Sequence, residues 1–112
     1  MKVQILPSAW EDLARIKHRV QAGFGEDTAL NVVNYILDDL ERLGRFPDSG
    51  SMTPDTWLNR MGFRMVITSR RNVSIFRKID ESIFVYVIAD TRTEYAKVFK
   101  DRIFFEPESI SE

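Results

Sequence analysis

The fold is decided by residues 63–89, which read Phe63-Arg64-Met65-Val66-Ile67-Thr68-Ser69-Arg70-Arg71-Asn72-Val73-Ser74-Ile75-Phe76-Arg77-Lys78-Ile79-Asp80-Glu81-Ser82-Ile83-Phe84-Val85-Tyr86-Val87-Ile88-Ala89. Three runs rich in β-branched and aromatic residues, 63–68, 73–79 and 83–89, are separated by the polar stretches 69–72 and 80–82. Such runs read as strands and such breaks as turns. Connections this short join antiparallel neighbours, so the segment predicts a three-stranded meander. Ile83 to Ile88 is apolar at both phases of a strand. Both of its faces are therefore buried, and it belongs at the centre of a sheet or beneath a covering tail.

Upstream, Lys2 to Leu6 alternates as a half-buried strand and Pro7 stops it. Ser8-Ala9-Trp10-Glu11 has the form of a capping box opening a helix over Ala9 to Gln21. Trp10, Leu13, Ile16 and Val20 make its apolar stripe, with Asp12, Arg15, Lys17 and Arg19 outward. Gly23 and Gly25 end it. Asp27 is placed to cap a second helix over Thr28 to Leu43, with Leu30, Val33, Ile36, Leu37, Leu40 and Leu43 on one face. Gly44 sits where a terminating glycine belongs, and about five residues join the helices, so they pair as an antiparallel hairpin. Residues 46–59 form the one long loop, anchored at its end by Trp57 and Leu58. Downstream, Tyr95, Val98 and Phe99 suggest a short helix within 90–102. Ile103-Phe104-Phe105 is an apolar patch, and the acidic tail 106–112 is expected to be disordered. The expected class is a single α+β domain spanning 1–112: N-terminal strand, α-helical hairpin, then an antiparallel β-meander packed against the helices. The sheet face away from the helices is where a site is expected.

Composition narrows the chemistry. The 112 residues include no cysteine and one histidine, His18. Thiol nucleophiles, cysteine-ligated metals and multi-histidine metal sites are excluded. No stretch has the length and apolarity of a spanning helix, and no secretory signal is visible, so a cytoplasmic location is expected. Neither a nucleotide nor a metal motif is present, and no cofactor is expected. The net charge of −1 hides a segregation: residues 1–55 carry 6 basic and 9 acidic side chains, whereas 56–79 carry 6 basic side chains and no acid. Local charge sets the local field, so that stretch can face an anion or an acidic partner.

Without histidine or converging carboxylates, arginine, lysine and tyrosine remain. Arg64 points opposite Phe63, Met65 and Ile67, while Arg77 shares its phase with Val73, Ile75 and Ile79. Arg92 and Tyr95 follow the last strand, three residues apart. Such a set can hold a phosphate in arginine forks and stabilise the charge developing on it while a neighbouring 2′-hydroxyl attacks. The same residues can instead pair with a protein partner, or with Asp80, Glu81, Asp90 and Glu94.

The order of elements, with Ser8-Ala9-Trp10-Glu11-Asp12-Leu13, Leu40-Glu41-Arg42-Leu43, Gly62-Phe63-Arg64-Met65-Val66, Ile75-Phe76-Arg77-Lys78-Ile79-Asp80 and Ile83 to Tyr95, resembles the RelE/ParE superfamily of bacterial toxins. The resemblance implies the toxin of a type II toxin–antitoxin system, held inactive by a cognate antitoxin. RelE-type members cleave mRNA in the ribosome, and ParE-type members inhibit DNA gyrase without nuclease activity. A third outcome is an inactive toxin fold that only binds its antitoxin. Whether the chain is an enzyme stays open between them, with a metal-independent endoribonuclease (an mRNA interferase) the preferred expectation. For that activity the catalytic candidates are Arg64, Arg77, Arg92 and Tyr95, and the nucleic-acid-binding candidates are Arg60, Arg70, Arg71, Lys78 and Lys97. The third strand reads Val73-Ser74 where RelE-type toxins usually carry an aromatic–arginine pair, and Val66 stands at a usually basic position.

Overall fold

The structure, a computed structural model, describes residues 1–68 and 71–105, without the side chains of Phe104 and Phe105. The expectations for Arg70, the tail 106–112 and the Phe104-Phe105 patch lie outside the described residues. The chain runs β1 (Lys2–Ile5), α1 (Pro7–Phe24), α2 (Glu26–Arg45), α3 (Thr56–Arg60), β2 (Phe63–Thr68), β3 (Asn72–Ile79), β4 (Ser82–Asp90) and α4 (Tyr95–Phe105). The four strands form one sheet in the order β1-β4-β3-β2. Both β2 and β4 pair antiparallel to β3, which is the expected meander. The first strand joins it in parallel with β4, pairing Val3 with Ile83 and Ile5 with Val85. This puts β4 inside the sheet, as its apolar faces require.

The helix starts differ from the sequence expectation. The first helix begins at Pro7, whose fixed φ and missing N–H suit a first turn, and no side chain caps it. The Ser8 hydroxyl donates instead to the Tyr86 carbonyl, at 3.5 Å. A single residue, Gly25, with φ at +94°, joins α1 to α2, so Asp27 lies inside the helix and caps nothing. Gly44 does not terminate α2 either. It lies inside the helix, where an added Cβ would stand 2.7 Å from the Met1 carbonyl oxygen. Its role is close approach to the start of the chain.

Two cores flank the sheet. On one face Leu13, Ile16, Ile36, Leu40 and Leu43 of the hairpin pack on Phe76, Ile83, Val85 and Ile88. Trp10 and Leu30, expected in the buried stripes, are exposed. On the other face Phe63, Ile75, Tyr86 and Val87 are covered by Leu58 of α3 and Phe99 of α4. The face expected to be open is thus a second core. The rings of Phe63, Tyr86 and Phe99 meet edge to face, with centroids 4.6–5.2 Å apart.

A bulge in β4 shapes both cores. Ile75 pairs with Val87 and Phe76 with Val85, so Tyr86 is the extra residue. Its carbonyl accepts a hydrogen bond from Arg102 at 2.9 Å. Past the end of β1 the edge of β4 away from β3 has no paired strand among the described residues, and the Ile88 N–H donates to Asp12 at 3.0 Å. Asp12, expected to point outward, is buried for this reason.

Candidate functional site

The register across β2 and β3 decides where the strand arginines lie. Arg64 pairs with Phe76 and Phe63 pairs with Arg77. Directly opposed residues share a face. Phe76 belongs to the hairpin core and Phe63 to the α4 core. Arg64 and Arg77 therefore emerge on opposite faces of the sheet.

Arg64 opens into a cleft of about 330 Å³ with Lys78, Asp48, Gly50 and Phe76. Lys78 stands 3.9 Å from the Asp48 carboxylate. The Arg64 guanidinium donates to its neighbour's carbonyl, Phe63 O, at 3.0 Å. Arg64 and Lys78, two of the expected basic residues, line the same cleft.

Arg77 has a built environment of its own. Its guanidinium lies over the Phe63 ring, 4.6 Å from the centroid, and donates to the Tyr86 hydroxyl at 3.2 Å. Stacking on an aromatic face suits a guanidinium. Burial raises the Tyr86 hydroxyl pKa against the opposing pull of Arg77. A phenol held protonated in this way is a poor general base.

Arg92 lies at the other end of the sheet. From Phe84, opposite Arg77, to Asp90 is six strand residues, roughly 20 Å. Arg92 grips Asp90 through one bidentate fork, Nε to Oδ1 at 3.0 Å and Nη2 to Oδ2 at 2.8 Å. Its backbone N–H donates to the same Oδ1 at 2.8 Å. The Arg92 side chain comes first among the causes that lower the Asp90 carboxyl pKa, from 3.8 to about 2. The same pair raises the Arg92 pKa.

Tyr95 starts α4 on the Arg77 side of the sheet, its hydroxyl 3.7 Å from the Met65 sulfur. Lys97 lies two residues on, in the cleft between α4 and the Pro54-Asp55 loop. Arg60 is exposed at the end of α3, and Arg71 is exposed at the start of β3. His18 is exposed on α1, as expected.

Among the described residues, the catalytic candidates Arg64, Arg77 and Arg92 do not converge on one uncovered face. Arg64 is on one face, Arg77 is stacked on the other, and Arg92 is neutralised by a carboxylate of its own chain. Two relationships escaped the sequence reading. Arg19, read as an outward helix residue, stands 3.9 Å from Asp90 and shares its cleft with Arg71 and Arg92. Arg102, given no role, is the partner of buried Asp12. A carboxylate among apolar stripe positions, Asp12 between Ala9 and Leu13, was the available signal.

No protein-family model matches the chain, and no curated protein matches it. Among solved structures, a chain of one described as "Chromosomal ParDE TA system from P. aeruginosa" superposes with a TM-score of 0.70. The match covers 82% of this chain and 97% of that chain, at 20% identity. The protein thus has the RelE/ParE-like α+β fold: N-terminal strand, helical hairpin, meander and C-terminal helix. Among the described residues no helix is long and apolar enough to cross a membrane.

Proposed function

We propose that this protein is the toxin of a type II toxin–antitoxin pair, neutralised by a cognate antitoxin, and that it arrests growth by binding a target, DNA gyrase, as ParE-type members do. The fold shared with a chain of a ParDE system supports the toxin reading. One observation carries the choice between activities. Arg92 is committed to Asp90 by a bidentate fork, while Arg64 and Arg77 lie on opposite faces. Cleavage of a phosphodiester without metal or histidine needs several cationic groups around one phosphate. These groups do not surround one point. Inhibition by binding needs no such constellation, only a complementary surface.

The test is inducible expression with separate readouts of replication and translation. Growth arrest, inhibition of gyrase supercoiling by micromolar protein and intact ribosome-bound mRNA are the expected results. Arrest with cleaved ribosomal mRNA and normal supercoiling would replace this reading with the mRNA interferase one. Expression without arrest would leave a fold that only binds its antitoxin.

A further inference from the structure

The two edges of the sheet differ. On the β2 edge the chain covers itself: Ser51 and Met65 exchange both backbone hydrogen bonds, at 2.8 and 2.9 Å. The opposite edge is β1, which pairs with β4 alone. It is held in place at its start, where the Met1 amino group donates to the Gly44 carbonyl at 2.7 Å. At its end the Leu6 N–H donates to the Val85 carbonyl at 3.0 Å. Backbone groups alternate in direction along a strand. Lys2 and Gln4 therefore face β4 as Leu6 does, and the N–H and C=O groups of Val3 and Ile5 point off the sheet. Among the described residues none of these four groups has a hydrogen-bond partner. An open edge of this kind is a template for pairing with another chain.

The edge borders an apolar cavity. Between β1 and the flank of α2 lies a pocket of about 290 Å³, lined by Val3, Ile5, Leu37, Leu40 and Glu41. Glu41 stands 3.9 Å from Arg45 of its own helix. Val3 and Ile5 are half-buried against the hairpin core, and Lys2 and Gln4 are exposed on the other face. The edge and the pocket together fit a short extended strand with apolar side chains at alternate positions and no charge at its middle.

The strand β1 itself meets that description, and its register is self-complementary. A two-fold axis through Gln4, perpendicular to the sheet, sets Val3 of each copy against Ile5 of the other. Both residues turn their backbone groups outward, so each pair exchanges two hydrogen bonds and every open group is satisfied. Val3 and Ile5 of the second copy arrive on the hairpin face, at the mouth of the pocket beside Leu37. Gln4 meets Gln4 across the axis, and a carboxamide, donor and acceptor at once, is its own complement. Lys2 is the only charge on the strand. Two residues from the axis, it lies roughly 14 Å from its counterpart, beyond the ~8 Å screening length at physiological salt. The match uses all four residues of β1, and Pro7, which has no N–H, follows one residue later. A longer foreign strand gains no further rung. We propose that a second copy of this chain docks on β1, joining two four-stranded sheets into one of eight strands.

Sedimentation velocity of the full chain, at up to about 200 µM, should show a species of twice the 13.1 kDa of one chain. Gln4 is exposed, so its variants should fold, as circular dichroism checks. Gln4→Lys and Gln4→Glu each set like charges face to face and should weaken the dimer about tenfold or more. An equal mixture of the two should restore it. The chain has no cysteine. Gln4→Cys sets two thiols at a spacing that a disulfide bridges and should cross-link copy to copy on oxidation, whereas Lys2→Cys should not. A monomer at the highest concentration would overturn the proposal and leave this edge to a strand of another protein. Equal cross-linking of the two cysteine variants, or an undiminished dimer in both Gln4→Lys and Gln4→Glu, would overturn it too. These readouts involve neither gyrase nor antitoxin nor cells, so their failure is distinct from a failure of the toxin reading.

Discussion

Arg102 on the last helix holds Asp12 on the first through both carboxylate oxygens, at 2.8 and 2.9 Å. The two residues are 90 positions apart. Asp12 also accepts the Ile88 N–H and an Arg15 guanidinium N–H. One carboxylate thus ties α1, α4 and the open edge of β4 together. The pair is largely buried, with side-chain exposures of 15% for Arg102 and 6% for Asp12.

Asp12→Ala should cost about 3–5 kcal/mol, because it removes the carboxylate that balances the largely buried Arg102 charge and takes the acceptor from the Ile88 N–H. Arg15→Ala should cost under about 1 kcal/mol, because Arg15 is 64% exposed and acts from the surface. Urea denaturation of the two variants measures the contrast. Equal losses would show that Arg102 is not the partner that matters.

Acid should weaken the fold through Asp90. Its carboxyl is held at about 2 against an ordinary 3.8, first by the Arg92 side-chain hydrogen bond and then by the Arg92 backbone N–H. The folded protein binds this proton less tightly than the unfolded chain. The contribution is complete above about pH 4 and is lost as pH falls through about 2. Stability measured across that window should fall in the wild type, and Asp90→Asn should flatten the fall.

Two glycines should respond oppositely to a methyl group. Gly44→Ala places a Cβ 2.7 Å from the Met1 carbonyl oxygen and 2.9 Å from Val3 Cγ2. That overpacking should destabilise by about 1–3 kcal/mol. Gly23, near the end of α1, has open space at the Cβ position, so Gly23→Ala should stabilise by about 0.5–1 kcal/mol. Thermal midpoints report both signs.

Arg64→Ala and Tyr95→Phe should leave growth arrest within about threefold of wild type, under 1 kcal/mol of target binding. Neither side chain meets a second catalytic candidate. A dilution series on inducing plates measures the effect. Complete loss of arrest in both variants would favour phosphodiester cleavage.

The strand spans and the antiparallel order of β2, β3 and β4 were legible because alternation and short turns are local properties. The hairpin was equally legible, since the 3/4 spacing of Ile36, Leu40 and Leu43 survives in any packing. The start of α1 was misread because Ser8 and Glu11 satisfy a capping pattern that Pro7 makes unnecessary. The candidate site was readable as residue types and poorly readable as a place. Arg64 and Arg77 carry no mark of which sheet face each will occupy until β2 and β3 are in register.

The linear order of residues, taken alone, determined the α+β class, the burial of both faces of β4 and the basic run between residues 56 and 79. Those follow from periodicity and composition over a few neighbouring positions. Only the tertiary structure decided that α4 covers the second sheet face, that Asp12 turns inward to Arg102, and that Asp90 gathers Arg19 and Arg92. Each of those depends on which distant segment arrives beside a given side chain. A charge is buried or exposed according to that neighbour, which no local pattern records.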